Sequence, residues 1–311
     1  MIGIKLNNRN TLIKKHSSNL VDLIYGRLSQ KSNLFLKAYF TKARIKKILE
    51  CEINDMIGLH RRINADLKKK FPKRDIQKSL KSIFNYKTFF KKGRNGYNAY
   101  DLCNSIGIQT CPYCNINLVT TIMKATPRKL TLRPPLDHFL CFNDFPLFGM
   151  SFLNLIPSCW TCNTGFKSDV PTDPADFLNP HMGGFHNDYI FDFANYNKID
   201  DVLTSDNFDM VLIEKKADAR IKGNIGLFQL ETVYAEYKPV FRNTLVSAMR
   251  YPEAAIKGIV AAVGGTKSEP YNVIFNSCYE LDDLHKFPFS KVNRDIVRNY
   301  ASSEIRKHLK L

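Results

Sequence analysis

The chain has 311 residues, with 46 Lys and Arg against 29 Asp and Glu, a formal charge of +17. Residues 1–100 hold 24 of the basic groups and 6 of the acidic ones, so this third carries +18 and the other 211 residues −1. A composition 44% hydrophobic and 12% aromatic excludes a wholly disordered chain, and the lack of an 18-residue apolar run or an apolar leader gives the expectation of a cytoplasmic protein with no membrane partner.

From about residue 18 to 71 apolar residues recur at helical spacing, first Leu20, Leu23, Ile24 and Leu28, then Ile45, Leu49, Ile53, Met56, Ile57, Ile63 and Leu67. The spacing predicts two helices, the second closed by Pro72, and a third through Ile76, Leu80, Ile83 and Phe84 before the turn signals Gly93 and Gly96. Between the apolar positions lie Lys46, Lys47, Arg61, Arg62, the run Lys68-Lys69-Lys70, and then Lys73, Arg74, Lys78, Lys81, Lys87, Lys91, Lys92 and Arg94. A solvated helix face accounts for any one such run. A balance of +18 over 100 residues repels itself in the folded state, which fits an anionic partner, either nucleic acid or an acidic protein.

Residues 97–195 are rich in Pro, Asn, Asp and Cys, with short apolar stretches at 130–132, 152–155 and 189–193, a pattern of loops, hairpins and short helices. Helical spacing returns over 223–262, interrupted at Pro239 and Pro252 and ended by Gly264-Gly265, and a last helical segment runs from about 290 to 309. The expected fold class is α+β, mainly α-helical, in three consecutive regions: a basic helical region 1–95, a central region 96–200 and a helical region 201–311.

Cys111-Pro-Tyr-Cys114 and Cys159-Trp-Thr-Cys162 are two Cys-x-x-Cys knuckles separated by 44 residues, whereas Cys51, Cys103, Cys141 and Cys278 are single and fit small buried side chains. Two knuckles supply four thiolates to one tetrahedral Zn²⁺, and a closed Cys₄ set leaves no open coordination position, so this zinc is expected to be structural.

Between and after the knuckles stand Asp137-His138, then Asn154, Asn163 directly after Cys162, and Lys167 one helical turn on. Phosphodiester hydrolysis needs a base, a group to orient it and a cation for the departing oxygen. His138 suits the base, Asn154 can orient its ring through a hydrogen bond, and Asp137 with Asn163 can hold Mg²⁺ or Mn²⁺ through oxygen. The residues Cys-Pro-Tyr-Cys-Asn at 111–115, Leu-Asp-His-Phe at 136–139 and Asn-Leu-Ile-Pro-Ser-Cys-Trp-Thr-Cys-Asn at 154–163 resemble the HNH, or ββα-metal, nucleases of the subtype with a Cys₄ zinc brace. The likeness covers about 70 residues. It implies a zinc-braced ββα finger flanked by helical regions, with Asp137 and Asn163 on the catalytic cation, His138 as base and Asn154 fixing it. Asn163 stands where the family name expects a final His, and its amide oxygen suits Mg²⁺.

Lys167 can face the scissile phosphate or be a surface lysine, and Arg128, Lys129 and Arg133, before the Asp-His pair, fit phosphate contacts, as do Lys68, Lys69 and Lys70. His181 and His186 read as loop histidines and Cys141 as packing; Trp160 can cover the zinc site or stack on a base. Stretches 227–230 and 288–292 are similar to the flanking helices of HNH proteins from phage-defence loci of the Septu and retron-linked kinds, which implies a partner ATPase or sensor. The expected substrate is nucleic acid, DNA ahead of RNA. The competing expectation is a noncatalytic zinc-containing nucleic-acid-binding protein, which accounts for charge and thiols alike.

Overall fold

The structure, a computed structural model, describes residues 1–87, 89, 96–123, 132–263 and 268–311. Lys91, Lys92, Gly93, Arg94, Arg128, Lys129, Leu130, Gly264 and Gly265 lie outside the described residues. The fold is α+β and mainly helical, and its contacts divide the chain into two compact units. One comprises residues 6–107 and 120–181, the other 1–5, 108–119 and 182–311. The basic helices therefore share a unit with the Asp-His and Asn154 segments, and the expected boundaries at 95/96 and 200/201 do not coincide with the units.

In the first unit, α1 (Arg9–Arg27), α2 (Lys42–Leu49), α3 (Ile53–Lys70) and α4 (Ile76–Ile83) turn their apolar faces inward. α3 shows why: Ile53, Met56, His60, Ile63 and Leu67 fall on one stripe and are buried, while its last turn is Lys68, Lys69 and Lys70. Caps set the starts of α2 and α4, Thr41 accepting from Arg44 N at 3.2 Å and Asp75 from Lys78 N at 2.9 Å. The expected single helix through Ile45 and Leu67 is two, broken at residues 50–52. Both acids of the break reach back to α1: Glu50 accepts from the Ser17 hydroxyl, and Glu52 takes both Arg9 guanidinium nitrogens, at 2.9 and 2.6 Å. α5 (Ala99–Ile106) opens on an Asn98–Asp101 capping box and ends at Gly107, whose φ of +70° a side chain would strain.

On these helices rests the segment 145–157. Ser151 Oγ donates to Ile48 O at 2.9 Å, and the buried His16 ring meets Met150 O through Nε2 at 2.7 Å and Tyr97 Oη through Nδ1 at 3.0 Å. Burial holds His16 near pKa 4, so it is a neutral core histidine at physiological pH. The segment leads into a short antiparallel pair, β1 (Leu136–His138) and β2 (Leu155–Pro157), with Asp137 opposite Ile156 and His138 opposite Leu155. A π-helical turn, Thr161–Lys167, follows.

The second unit pairs β3 (Tyr189–Ala194), entering the α6 helix (Ile199–Thr204), with antiparallel β4 (Asp209–Glu214). The expected helical run 223–262 is α7 (Ala219–Leu227), α8 (Leu230–Ala235), α9 (Lys238–Arg250), which has Pro239 in its first turn, and α10 (Glu253–Val263), with Pro252 between the last two. After α11 (Ser268–Phe275), α12 (Ser290–Tyr300) and α13 (Ser303–Leu309) divide the expected last helix at Ala301-Ser302. α12 carries a fully buried Lys291–Asp295 pair; Lys291 Nζ donates to Tyr189 O at 2.9 Å and Asp295 accepts from Phe191 N at 2.9 Å, tying the helix to β3. Among the described residues no helix is long and apolar enough to cross a membrane.

Candidate active site and thiol cluster

Asp137, His138, Asn163 and Lys167 line one cavity of about 450 Å³, together with Tyr86, Arg133, Cys141, Phe142, Asn143 and Asp169 among others. β1 supplies the first two side chains and the π-helical turn the next two. That turn closes through Ser168 N donating to Asn163 O at 2.8 Å, a five-residue reach, and Ser168 then takes a positive φ of 43°.

His138 Nε2 lies 2.9 Å from Gly149 O. A carbonyl only accepts, so Nε2 carries the proton and the lone pair of the neutral ring is on Nδ1. Burial is the main cause that pushes this imidazole below its ordinary pKa; the Gly149 hydrogen bond and the Asp137 charge oppose it, and Lys167 adds to it. The ring is neutral at neutral pH, with the Tyr86 ring 4.5 Å away and Phe142 at 5.9 Å.

Asn154 acts at one remove from the His138 ring. Its Oδ1 accepts from Leu140 N at 2.7 Å, and its Nδ2 donates to Leu140 O at 3.2 Å and Phe148 O at 3.1 Å. These bonds clamp the chain just after β1 to the turn that presents Gly149 O, so the expected direct hold on the ring is exerted through backbone. Gly149 itself has no room for a Cβ, which would stand 2.6 Å from the Phe142 ring and 2.9 Å from Phe84 O. Asn154→Ala strands three buried backbone groups, so we expect a loss of about 2–4 kcal/mol in a denaturant unfolding measurement.

Lys167 is not a surface lysine. Its side chain is 2% exposed, its Nζ lies 3.0 Å from Asp137 Oδ1 and donates to His138 O at 2.8 Å. Arg133 borders the cavity, its guanidinium 5.4 Å from the Tyr100 ring centre and its Nη1 donating to Pro134 O at 2.7 Å. Lys68, Lys69 and Lys70 are exposed at the end of α3 and do not line the cavity; Lys70 Nζ is 3.7 Å from Asp66. Lys81 on α4 does reach its edge, donating to Asn143 Oδ1 at 3.2 Å. His181 is buried against Leu155 O at 3.3 Å, with burial holding it near pKa 4, and His186 accepts from Gly184 N at 3.2 Å. Cys103, Cys141 and Cys278 are buried free thiols and Cys51 is half-buried.

Cys111 and Cys114 are buried in the unit holding residues 108–119, and Cys159 and Cys162 are buried in the unit holding residues 120–181. A tetrahedral zinc takes thiolates at Zn–S distances of about 2.3 Å, and each knuckle offers two ligands of the kind that suits a metal such as zinc. Backbone amides point at the sulfurs, Ile116 N at Cys114 Sγ and Cys162 N at Cys159 Sγ, each at 3.4 Å. Trp160, inside the second knuckle, is 66% exposed.

The first knuckle is anchored by the stretches at 227–230 and 288–292. Phe228 stacks on Tyr113 at 4.3 Å, Phe289 N donates to Asn115 O at 2.7 Å and Lys291 N to Asn115 Oδ1 at 3.0 Å. Asn115 holds a positive φ of 54°, and its Nδ2 donates to Thr110 Oγ1 at 2.9 Å and Leu284 O at 3.1 Å. Tyr86, Phe142, Gly149 and Asp169 carried no signal in the sequence, whereas Lys81 belongs to the basic helix faces noted there. Set against protein-family models, curated proteins and solved structures, the chain matches none of them.

Proposed function

We propose that the chain is a metal-dependent endonuclease of the HNH, ββα-metal kind, hydrolysing phosphodiester bonds in nucleic acid, with DNA the favoured substrate. The observation that carries this reading is the meeting of Asp137, His138, Asn163 and Lys167 in one cavity, with the His138 tautomer fixed by Gly149 O. In the proposed reaction His138 Nδ1 takes the proton from a water as its oxygen attacks phosphorus in line with the departing 3′-oxygen. Gly149 O holds the resulting imidazolium through Nε2–H. A divalent cation, Mg²⁺ or Mn²⁺, held by Asp137 and Asn163 supplies charge stabilisation for the leaving oxygen. Arg133 and Lys81 at the cavity edge offset phosphate charge, and zinc on Cys111, Cys114, Cys159 and Cys162 is structural. A partner ATPase or sensor, and a role in phage defence, belong to this proposal through the resemblance of the flanking stretches.

The test is to incubate the full-length chain with plasmid, single-stranded DNA and RNA, each with Mg²⁺, Mn²⁺ or chelator. The expected result is cleavage that chelation abolishes. Binding without cleavage on every substrate overturns the proposal in favour of a noncatalytic zinc protein. Replacing Lys68, Lys69 and Lys70 by Gln is expected to weaken binding in fluorescence anisotropy. The slope of log affinity against log salt should flatten by about 0.9 for each phosphate that these lysines neutralise. An unchanged slope assigns this surface to an acidic protein partner.

A further inference from the structure

Asp137 and Lys167 form an ion pair whose side chains are 3% and 2% exposed, and the ammonium is also anchored on His138 O at 2.8 Å. The pair is built into the cavity wall: Asp137 lies on β1 opposite Ile156, and Lys167 ends the π-helical turn that begins at Thr161. An ordinary surface lysine holds its charge in water, whereas this one is fixed where the negative charge of Asp137 is already balanced. A divalent cation bound to Asp137 at an oxygen distance of about 2.1 Å would sit within a few ångströms of the ammonium. Like charges at that separation in a buried site repel strongly, because little water is present to screen them.

We propose that Lys167 is the resident counter-ion of Asp137 and that a divalent cation must displace it, so that ammonium and metal compete for one buried carboxylate. This rests on the reading of Asp137 as a ligand of the catalytic cation. The competition keeps metal affinity low until substrate arrives. A phosphodiester brings a negative charge that can receive the released ammonium, and Asp169, another carboxylate lining the same cavity, offers a second acceptor. Metal loading and substrate binding are thereby coupled, with each favouring the other.

The test measures Mn²⁺ binding to the full-length chain by electron paramagnetic resonance of the free ion. Lys167→Met keeps the length of the side chain and removes its charge. We expect it to bind Mn²⁺ at least tenfold more tightly than the unsubstituted chain, with the gain abolished when Asp137→Asn is added. Equal or weaker affinity in Lys167→Met overturns the displacement. Failure of both proteins to show Asp137-dependent Mn²⁺ binding overturns the metal assignment itself, a separate result. Should the variant not fold, the unsubstituted chain decides the matter through amine-reactive labelling read by mass spectrometry. Lys167 should be protected without Mn²⁺ and become reactive when Mn²⁺ is saturating; protection that persists in the Mn²⁺-bound chain overturns the proposal.

Discussion

His138→Ala is expected to lower the rate of phosphodiester cleavage by about 10²–10⁴-fold, the usual contribution of a positioned general base. The substitution removes the ring that places a basic nitrogen in the cavity while leaving Asp137, Asn163 and Lys167 where they are. It also leaves Gly149 O without the Nε2–H donor seen at 2.9 Å, a cost of about 1–3 kcal/mol if water does not replace it. Zinc content and nucleic-acid affinity should therefore be nearly unchanged, and the loss should fall on the chemical step. The measurement is single-turnover cleavage at saturating protein, with metal analysis and a binding isotherm on the same preparation. Cleavage at the unsubstituted rate would remove His138 from the mechanism.

The second large effect concerns the thiols. If the proposed zinc is bound there, Cys159→Ser or Cys111→Ser is expected to cost the chain that metal and much of its stability, because metal binding at structural sites amounts to about 10–16 kcal/mol in small zinc modules. Cys162 and Asn163 are neighbours in sequence, and the π-helical turn that holds Asn163 and Lys167 contains Cys162. Losing the metal should consequently disorder that turn and abolish cleavage together with folding, unlike the purely catalytic loss at His138. Elemental analysis, thermal melting and titration with a strong chelator distinguish the two. A chain that keeps full stability after the thiols are substituted, and contains no zinc beforehand, would show the cluster to be a set of packed thiols.

The parts of the site legible in sequence are those built from near neighbours. A Cys-x-x-Cys knuckle folds on its own turn, and Asp137-His138 sit on a strand whose partner lies less than about twenty residues away, so type and order already imply proximity. The orientation of the base was not legible, because it depends on Gly149 O and on the Asn154 clamp, two backbone arrangements that no residue pattern announces. Lys167 was undecided for a related reason. Four residues after Asn163 the spacing left it open whether Lys167 faced the cavity or solvent, and its anchoring on Asp137 and His138 O comes from β1, a contact the spacing does not encode. In the fold, helix type and stripes were readable for α1, α3 and α4. The break between α2 and α3 was not, since Glu50 and Glu52 there find their partners, Ser17 and Arg9, on another helix. The charge of residues 1–100 was evident at once, yet composition could not reveal that these helices support the segment carrying Gly149 and Asn154.

The route of the chain between its two units sets an order on folding. Residues 1–5 and 108–119 belong with 182–311. Ile2 N donates to Pro112 O at 2.8 Å, and Gly3 packs so closely on the Gly183-Gly184 backbone that a Cβ there would meet it at 3.0 Å. During synthesis the first of these segments emerges long before its partners. The unit holding residues 6–107 and 120–181 can collapse once residue 181 has left the ribosome, whereas the other must keep its opening residues and the Cys111–Cys114 loop waiting until the C-terminal helices exist. Closure over such sequence separations is slow compared with helix formation. Cys111 and Cys114 would thus take their folded places late, after the unit that carries His138 can already have collapsed.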